Sequence, residues 1–209
     1  MAKITALNWG KGRNKKANVS LDGKPALSLE PEVALKEGLM VGQELSDSRT
    51  AALVKASHQQ QCYNAALRYL DYRPRSEYEM RQRLRQRGFD KDSIQAALSR
   101  LKEQGLIDDS DFARFWKDNR QSFSPRSQWL VGLELKQKGV PREFIKQVVS
   151  TIEDAENAHR VAVSKAHSLA DCDYQSFRRR LGEHLKRRGF SYGVIIKTIE
   201  RLWQERGAV

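Results

Sequence analysis

The chain has 209 residues, 39% of them hydrophobic and 31% charged, enough for one real core or a string of small ones, and a balance that favours many solvated helix faces over one deep core. Its formal charge of +12 and pI near 9.8 create a positive field that attracts nucleic acid, anionic lipid or an acidic protein surface. Cys62 and Cys172 form no CxxC or Cys/His cluster, and no stretch approaches the roughly 20 apolar residues of a membrane helix. A cytoplasmic protein without disulfide, structural metal or membrane contact is therefore expected.

From Lys3 to Leu29 short alternating segments are interrupted by Gly10, Gly12, Asp22-Gly23 and Pro25, which predicts two or three β-strands. Their thin apolar face, Ile4, Val19, Leu21 and Leu29 among it, must lean on a helix. The hairpin tip carries Lys11, Arg13, Lys15 and Lys16 beside Trp9; this mixture could touch a phosphate backbone, but a solvated turn is the favoured reading. Pro31 opens a short helix through Lys36, and Ser46 or Asp47 caps a long helix that follows. After Ser46 strand signals cease.

The remainder repeats. Leu-Arg-Gln-Arg-Gly-Phe at 84–89, Leu-Lys-Gln-Lys-Gly-Val at 135–140 and Leu-Lys-Arg-Arg-Gly-Phe at 185–190 recur about 50 residues apart. Upstream, Met80, Val131 and Leu181 share a position; downstream, Ile94, Ile145 and Ile195 share another, as do Leu98, Val149 and Ile199. Glycine after the helix end supplies a left-handed turn, and the next apolar residue packs back on the leucine. Asp90, Pro141 and Ser191 then start a further helix. With a leading helix in each repeat (Tyr63 to Leu70, Phe112 to Asn119, Ala162 to Ala166), the pattern predicts three repeats of three helices. The expected division is 1–46, a β-hairpin-containing segment; 47–106, repeat one with a long leading helix; 107–153, repeat two; and 154–209, repeat three. The fold class is mainly α, an elongated curved array preceded by a small β-rich segment.

Pro-Arg-Ser precedes the middle helix of the first two repeats, at 74–76 and 125–127, with Glu79 completing a capping box in the first. Repeat three lacks this motif, so Asp171, Asp173 or Gln175 must start its middle helix. Asp108, Asp109 and Asp111 precede an apolar helix and read as cap and first-turn anions rather than a metal site.

Cations crowd the middle helices. Arg81 and Arg83 have local partners in Glu77 and Glu79 at i, i+4. Arg85 and Arg87, Lys136 and Lys138, Lys186 and Arg188, with Arg187 between the last two, instead occupy the helix stop in every repeat. They could merely complement helix dipoles; as a periodic basic track they are the candidate partner- or DNA-binding residues. The four histidines are scattered without HExxH, and no GxxxxGK[ST] or GxSxG occurs, so no catalytic, cofactor or metal residues are assigned and a binding function is expected.

Arg-Pro-Arg-Ser at 73–76, Glu-Met-Arg-Gln-Arg-Leu-Arg-Gln-Arg-Gly-Phe at 79–89, Gly-Leu-Ile-Asp-Asp-Ser-Asp-Phe-Ala at 105–113 and Glu-Leu-Lys-Gln-Lys-Gly-Val at 134–140 together resemble the RecX regulators of the bacterial recombinase RecA. The resemblance covers about 57–206 and leaves the β-rich segment outside as an addition. It implies tandem three-helix repeats and a non-enzymatic modulator, expected to be a monomer without cofactor. Such a protein binds the RecA filament on single-stranded DNA, in its helical groove, and restrains ATP hydrolysis, strand exchange and the SOS response. The rival is a helical-repeat protein that binds nucleic acid directly, with no recombinase partner. Trp116, Trp129 and Trp203 fall at unrelated repeat positions, unlike the tryptophans of Myb-like modules, and an invariant cation pair suits phosphate better than base readout.

Overall fold

The computed structural model describes residues 1–10 and 15–207; Lys11 and Arg13 of the hairpin tip lie outside them. Two compact units result, Met1–Arg73 with Met80–Ile107, and Pro74–Glu79 with Asp108–Val209.

In the first unit the alternation becomes three antiparallel strands, β1 (Ala2–Trp9), β2 (Ala17–Leu21) and β3 (Lys24–Leu29). Asp22 and Gly23 both take positive φ, 47° and 80°, the two-residue turn whose twist matches the flanking strands. A fourth strand adds to the two or three expected. β4 (Glu44–Leu45) pairs with the outer edge of β1, Ala2 opposite Leu45, giving the order β3-β2-β1-β4. Two residues are too few for alternation to show, so only the tertiary pairing reveals it.

The sheet leans on helices as its thin face requires. Ile4, Val19, Leu29 and Leu45 pack with Val33 of α1 (Pro31–Lys36) and Leu53 of α2 (Asp47–Leu70); burying each Ile or Leu contributes roughly 1.5–3 kcal/mol before entropy is charged. Ser46 caps α2 by accepting from the Arg49 N–H at 3.2 Å. The far end of α2 packs with α3 (Glu77–Gln86) and α4 (Lys91–Glu103) around Cys62, Tyr63, Met80, Leu84, Ile94 and Leu98.

The second unit holds α5 (Asp109–Phe123), α6 (Gln128–Gln137) and α7 (Arg142–Val149) around Phe112, Val131, Leu135 and Ile152. It continues through α8 (Asp154–Ala166), a short 3-10 turn, α9 (Tyr174–Lys186) and α10 (Tyr192–Gly207) around Ala162, Phe177, Leu181, Leu185 and Ile199. The expected helix starts are present: Asp108, Ser127 and Asp173 cap α5, α6 and α9 through their side chains.

The repeated helix stop has the predicted form. Gly88, Gly139 and Gly189 take φ of 88°, 73° and 84°. In each, the following residue (Phe89, Val140, Phe190) donates its N–H to the carbonyl of the leucine five residues back (Leu84, Leu135, Leu185), at 3.3, 3.1 and 3.4 Å. These bonds satisfy carbonyls the helix end would otherwise leave bare.

Candidate nucleoprotein interface

The candidate cations divide into two sorts by position. Arg85, Lys136 and Lys186, first of each pair, are exposed on the last turn of α3, α6 and α9, as is Arg187 on the C-cap of α9. The second position varies. Arg87 is exposed and lines a hollow of about 660 Å³ with Lys15, Lys16, Arg68 and Glu30. Lys138 turns inward: its Nζ lies 2.6 Å from Glu79 Oε1 and 4.0 Å from the centre of the Trp116 ring. Arg188 is half-buried, and its backbone carbonyl accepts from the Ser127 N–H at 3.1 Å.

Those inward positions belong to a junction built twice inside the second unit. Ser76 Oγ accepts from the Glu79 N–H at 3.1 Å, the backbone half of the expected capping box, and donates to the Lys138 carbonyl at 2.6 Å. Ser127 Oγ likewise accepts from the Leu130 N–H at 3.2 Å while its own N–H reaches Arg188. Each Pro-Arg-Ser segment thus seats the helix stop of the following repeat. A Cβ on Gly139 would overlap the Tyr78 side chain, and one on Gly189 would stand 2.7 Å from Leu130 Cβ. Two acids complete the joints: Asp109 Oδ1 accepts from the Glu77 N–H at 2.9 Å and Asp154 Oδ1 from the Gln128 N–H at 2.8 Å.

A charged clasp lies behind the second junction. Glu134, nearly buried, accepts from Trp116 Nε1 at 2.7 Å and Arg120 Nε at 2.8 Å, and pairs with Arg126. Burial holds the pKa of Arg126 below its ordinary value, with repulsion from Arg120 and Arg188 adding to it. Arg126 comes from Pro-Arg-Ser and Glu134 from Glu-Leu-Lys-Gln-Lys-Gly-Val, so two of the motifs that carry the resemblance meet here. Sequence reasoning missed this pair because the residues lie eight apart across a helix start. The sole signal was a glutamate where the other repeats have Arg83 and His184. The cluster of Lys15, Lys16 and Arg68 around Arg87 was equally invisible, since it needs the β-segment folded against α2.

Elsewhere chemistry is subdued. Burial pushes the Cys62 thiol up to about 12, which keeps it protonated and unreactive. Asp108, Asp109 and Asp111 serve as cap, junction acceptor and first-turn anion. Among the described residues no helix is long and apolar enough to cross a membrane.

Three-helix units in tandem, joined by a repeated serine-glycine junction and showing a cation at each helix stop, define a helical-repeat protein of a distinct kind. Residues 62–101 match the family model of the RecX first three-helix domain and residues 108–149 that of the second. Regulatory protein RecX of Clostridium botulinum (strain Eklund 17B / Type B) is 30% identical over 206 residues, covering 96% of both chains; that of Geobacillus kaustophilus is 31% identical over 186 residues, 87% of this chain and 69% of that one. A crystal structure of a regulatory protein RecX superposes with a TM-score of 0.72 at 25% identity, covering 93% of this chain and 97% of the other. The chain belongs to the RecX family. One expectation needs correction: similarity over 96% of both chains extends beyond 57–206 into the N-terminal β-segment, which relatives therefore share.

Proposed function

We propose that the protein is a non-enzymatic modulator of RecA that binds the RecA filament on single-stranded DNA and restrains its ATP hydrolysis, strand exchange and SOS signalling. The observation that supports this most is the exposed cation at one repeat position, Arg85, Lys136 and Lys186, each on a helix end with no ion-pair partner among the described residues. A cation that recurs with each repeat suits a polymer that repeats its own contacts. Several weak contacts made at once gain strength from their number. In this reading the chain works as a cytoplasmic monomer, and its functional parts are the β-segment 1–46 and repeats 47–106, 107–153 and 154–209.

Single-stranded-DNA-dependent ATP hydrolysis by the cognate RecA tests the reading, with this protein titrated well below one copy per recombinase monomer. A fall in hydrolysis at concentrations too low to coat the DNA is expected. Loss only when naked DNA is saturated would mean competition for the strand. That second reading, direct nucleic-acid binding, is favoured by the hollow lined by Lys15, Arg68 and Arg87 beside the Lys16–Glu30 ion pair and Glu32. Replacing Arg85, Lys136 and Lys186 together by alanine separates the two: filament inhibition is expected to fall by more than tenfold, and unchanged inhibition would remove the repeated cation from the mechanism.

A further inference from the structure

A hollow of about 330 Å³ opens in the second unit between the end of α5 and helices α8 and α9. Arg160, Lys165, Arg188 and His184 line it, and no carboxylate does. Three cations facing one concavity without a counter-charge in its lining is an unbalanced arrangement. Arg160 is steadied by Asn157, which accepts from its Nη2 at 2.6 Å, so it meets a neutral amide rather than an anion. Arg188 is half-buried, so its guanidinium is held in the wall of the hollow. Ser122 and Ser164 at the rim add hydroxyl donors. Burial, then Arg188, Lys165 and Arg187, hold the His184 pKa below its ordinary value, as expected of an imidazole in an unneutralised positive field.

The lip of the hollow supplies a second observation. Phe123, the last residue of α5, is 83% exposed. Tyr72, at the same place before Pro-Arg-Ser in repeat one, is 84% exposed. Packing requires neither ring, yet both repeats set an aromatic two residues before that proline. An exposed aromatic beside cations is the arrangement that stacks a base while the phosphate is held.

We propose that this hollow seats a phosphodiester of single-stranded nucleic acid, with Phe123 stacking on the adjacent base. The inference rests on the reading that the chain meets nucleic acid, and a direct measurement without recombinase keeps the two apart. The full chain is titrated with short oligo-dT, an abasic oligonucleotide of equal length and inorganic phosphate, following the His184 imidazole by NMR and affinity by anisotropy. His184 is expected to titrate at higher pH as phosphate or oligonucleotide enters, because an anion favours the imidazolium. Phe123→Ala, exposed and so harmless to the fold, should weaken oligo-dT about tenfold and leave the abasic strand unchanged. Arg160→Gln and Lys165→Gln should each lower the salt slope of binding by about 0.7.

If the wild-type chain binds oligo-dT and all three variants bind it equally, the hollow is overturned while nucleic-acid contact stands. A chain that binds no oligonucleotide at low salt would sink the hollow and the direct-binding reading, while filament inhibition would still stand or fall on its own ATPase test. A His184 response to inorganic phosphate that oligo-dT cannot match would assign the hollow to free phosphate, and a stronger response to a phosphoserine peptide would assign it to a protein partner; either rejects the proposal.

Discussion

Gly88 and Gly139 hold the same position in two repeats, with the same left-handed backbone and the same hydrogen bond closing the helix, and differ in what lies against them. A Cβ on Gly88 would meet nothing within 4 Å, whereas one on Gly139 would run into Tyr78. One glycine is needed for its own turn; the other is needed also by its neighbour. A single motif thus does two jobs, stopping a helix in every repeat and, inside the second unit, receiving a Pro-Arg-Ser segment.

Substituting the two glycines separates these jobs. Gly88→Ala meets the left-handed cost alone, roughly 1–2 kcal/mol. Gly139→Ala adds overpacking against Tyr78, roughly 1–3 kcal/mol more, and urea denaturation should show that gap. Equal losses at the two sites would mean that the junction yields freely. Glu134→Ala comes next, because it strands Arg120 and Arg126 beside each other. Breaking a buried pair typically costs 3–5 kcal/mol, and the partial exposure of both arginines, 24% and 30%, brings the expectation down to about 2–3 kcal/mol. Arg83, at the matching place in repeat one, is exposed, so Arg83→Ala should change stability little.

The serines provide a finer comparison. Ser76→Ala loses a cap and the bond to the Lys138 carbonyl, about 2 kcal/mol together. Ser191, exposed, accepts only a long 3.4 Å bond from the Val194 N–H, so Ser191→Ala should cost under about 1 kcal/mol. Thermal melts of the two variants decide whether Pro-Arg-Ser is more than a helix start.

The local half of this was legible in the sequence. Helix stops, the caps at Ser46, Asp108, Ser127 and Asp173 and the apolar columns depend on residues within a turn or two of each other, and one chain with internal repeats displays them three times. Long-range pairings were not legible. β4 offers two residues, the Arg126–Glu134 clasp has no counterpart in the other repeats, and Lys138, grouped by position with the exposed Lys136, turned out to face Glu79. Repeat position specifies where a side chain starts; what it reaches depends on the neighbouring repeat.

The smallest expected effect contrasts a capping aspartate with a junction aspartate through pH. Asp90 caps α4 on an open surface, and bonds from the Ser93 backbone and hydroxyl, with His58 a lesser influence, lower its pKa from 3.8 to about 2. A carboxylate lowered on folding adds stability above its unfolded pKa, and that stability is lost as pH falls through the folded value. The difference between wild type and Asp90→Asn, which keeps an acceptor at the cap, should therefore hold above about pH 3.8 and close towards pH 2. Asp154 sits in the junction, where burial raises its pKa from 3.8 despite the bond from Gln128. Its sign is opposite: the folded state prefers the neutral acid, so that contribution is present below the unfolded pKa and lost as pH rises through the folded one. Asp154→Asn should match wild type near pH 3 and be relatively better off towards neutrality. Parallel denaturation of both variants across this range would place the two carboxylates on opposite sides of zero; curves bending the same way would mean that the junction does not desolvate Asp154.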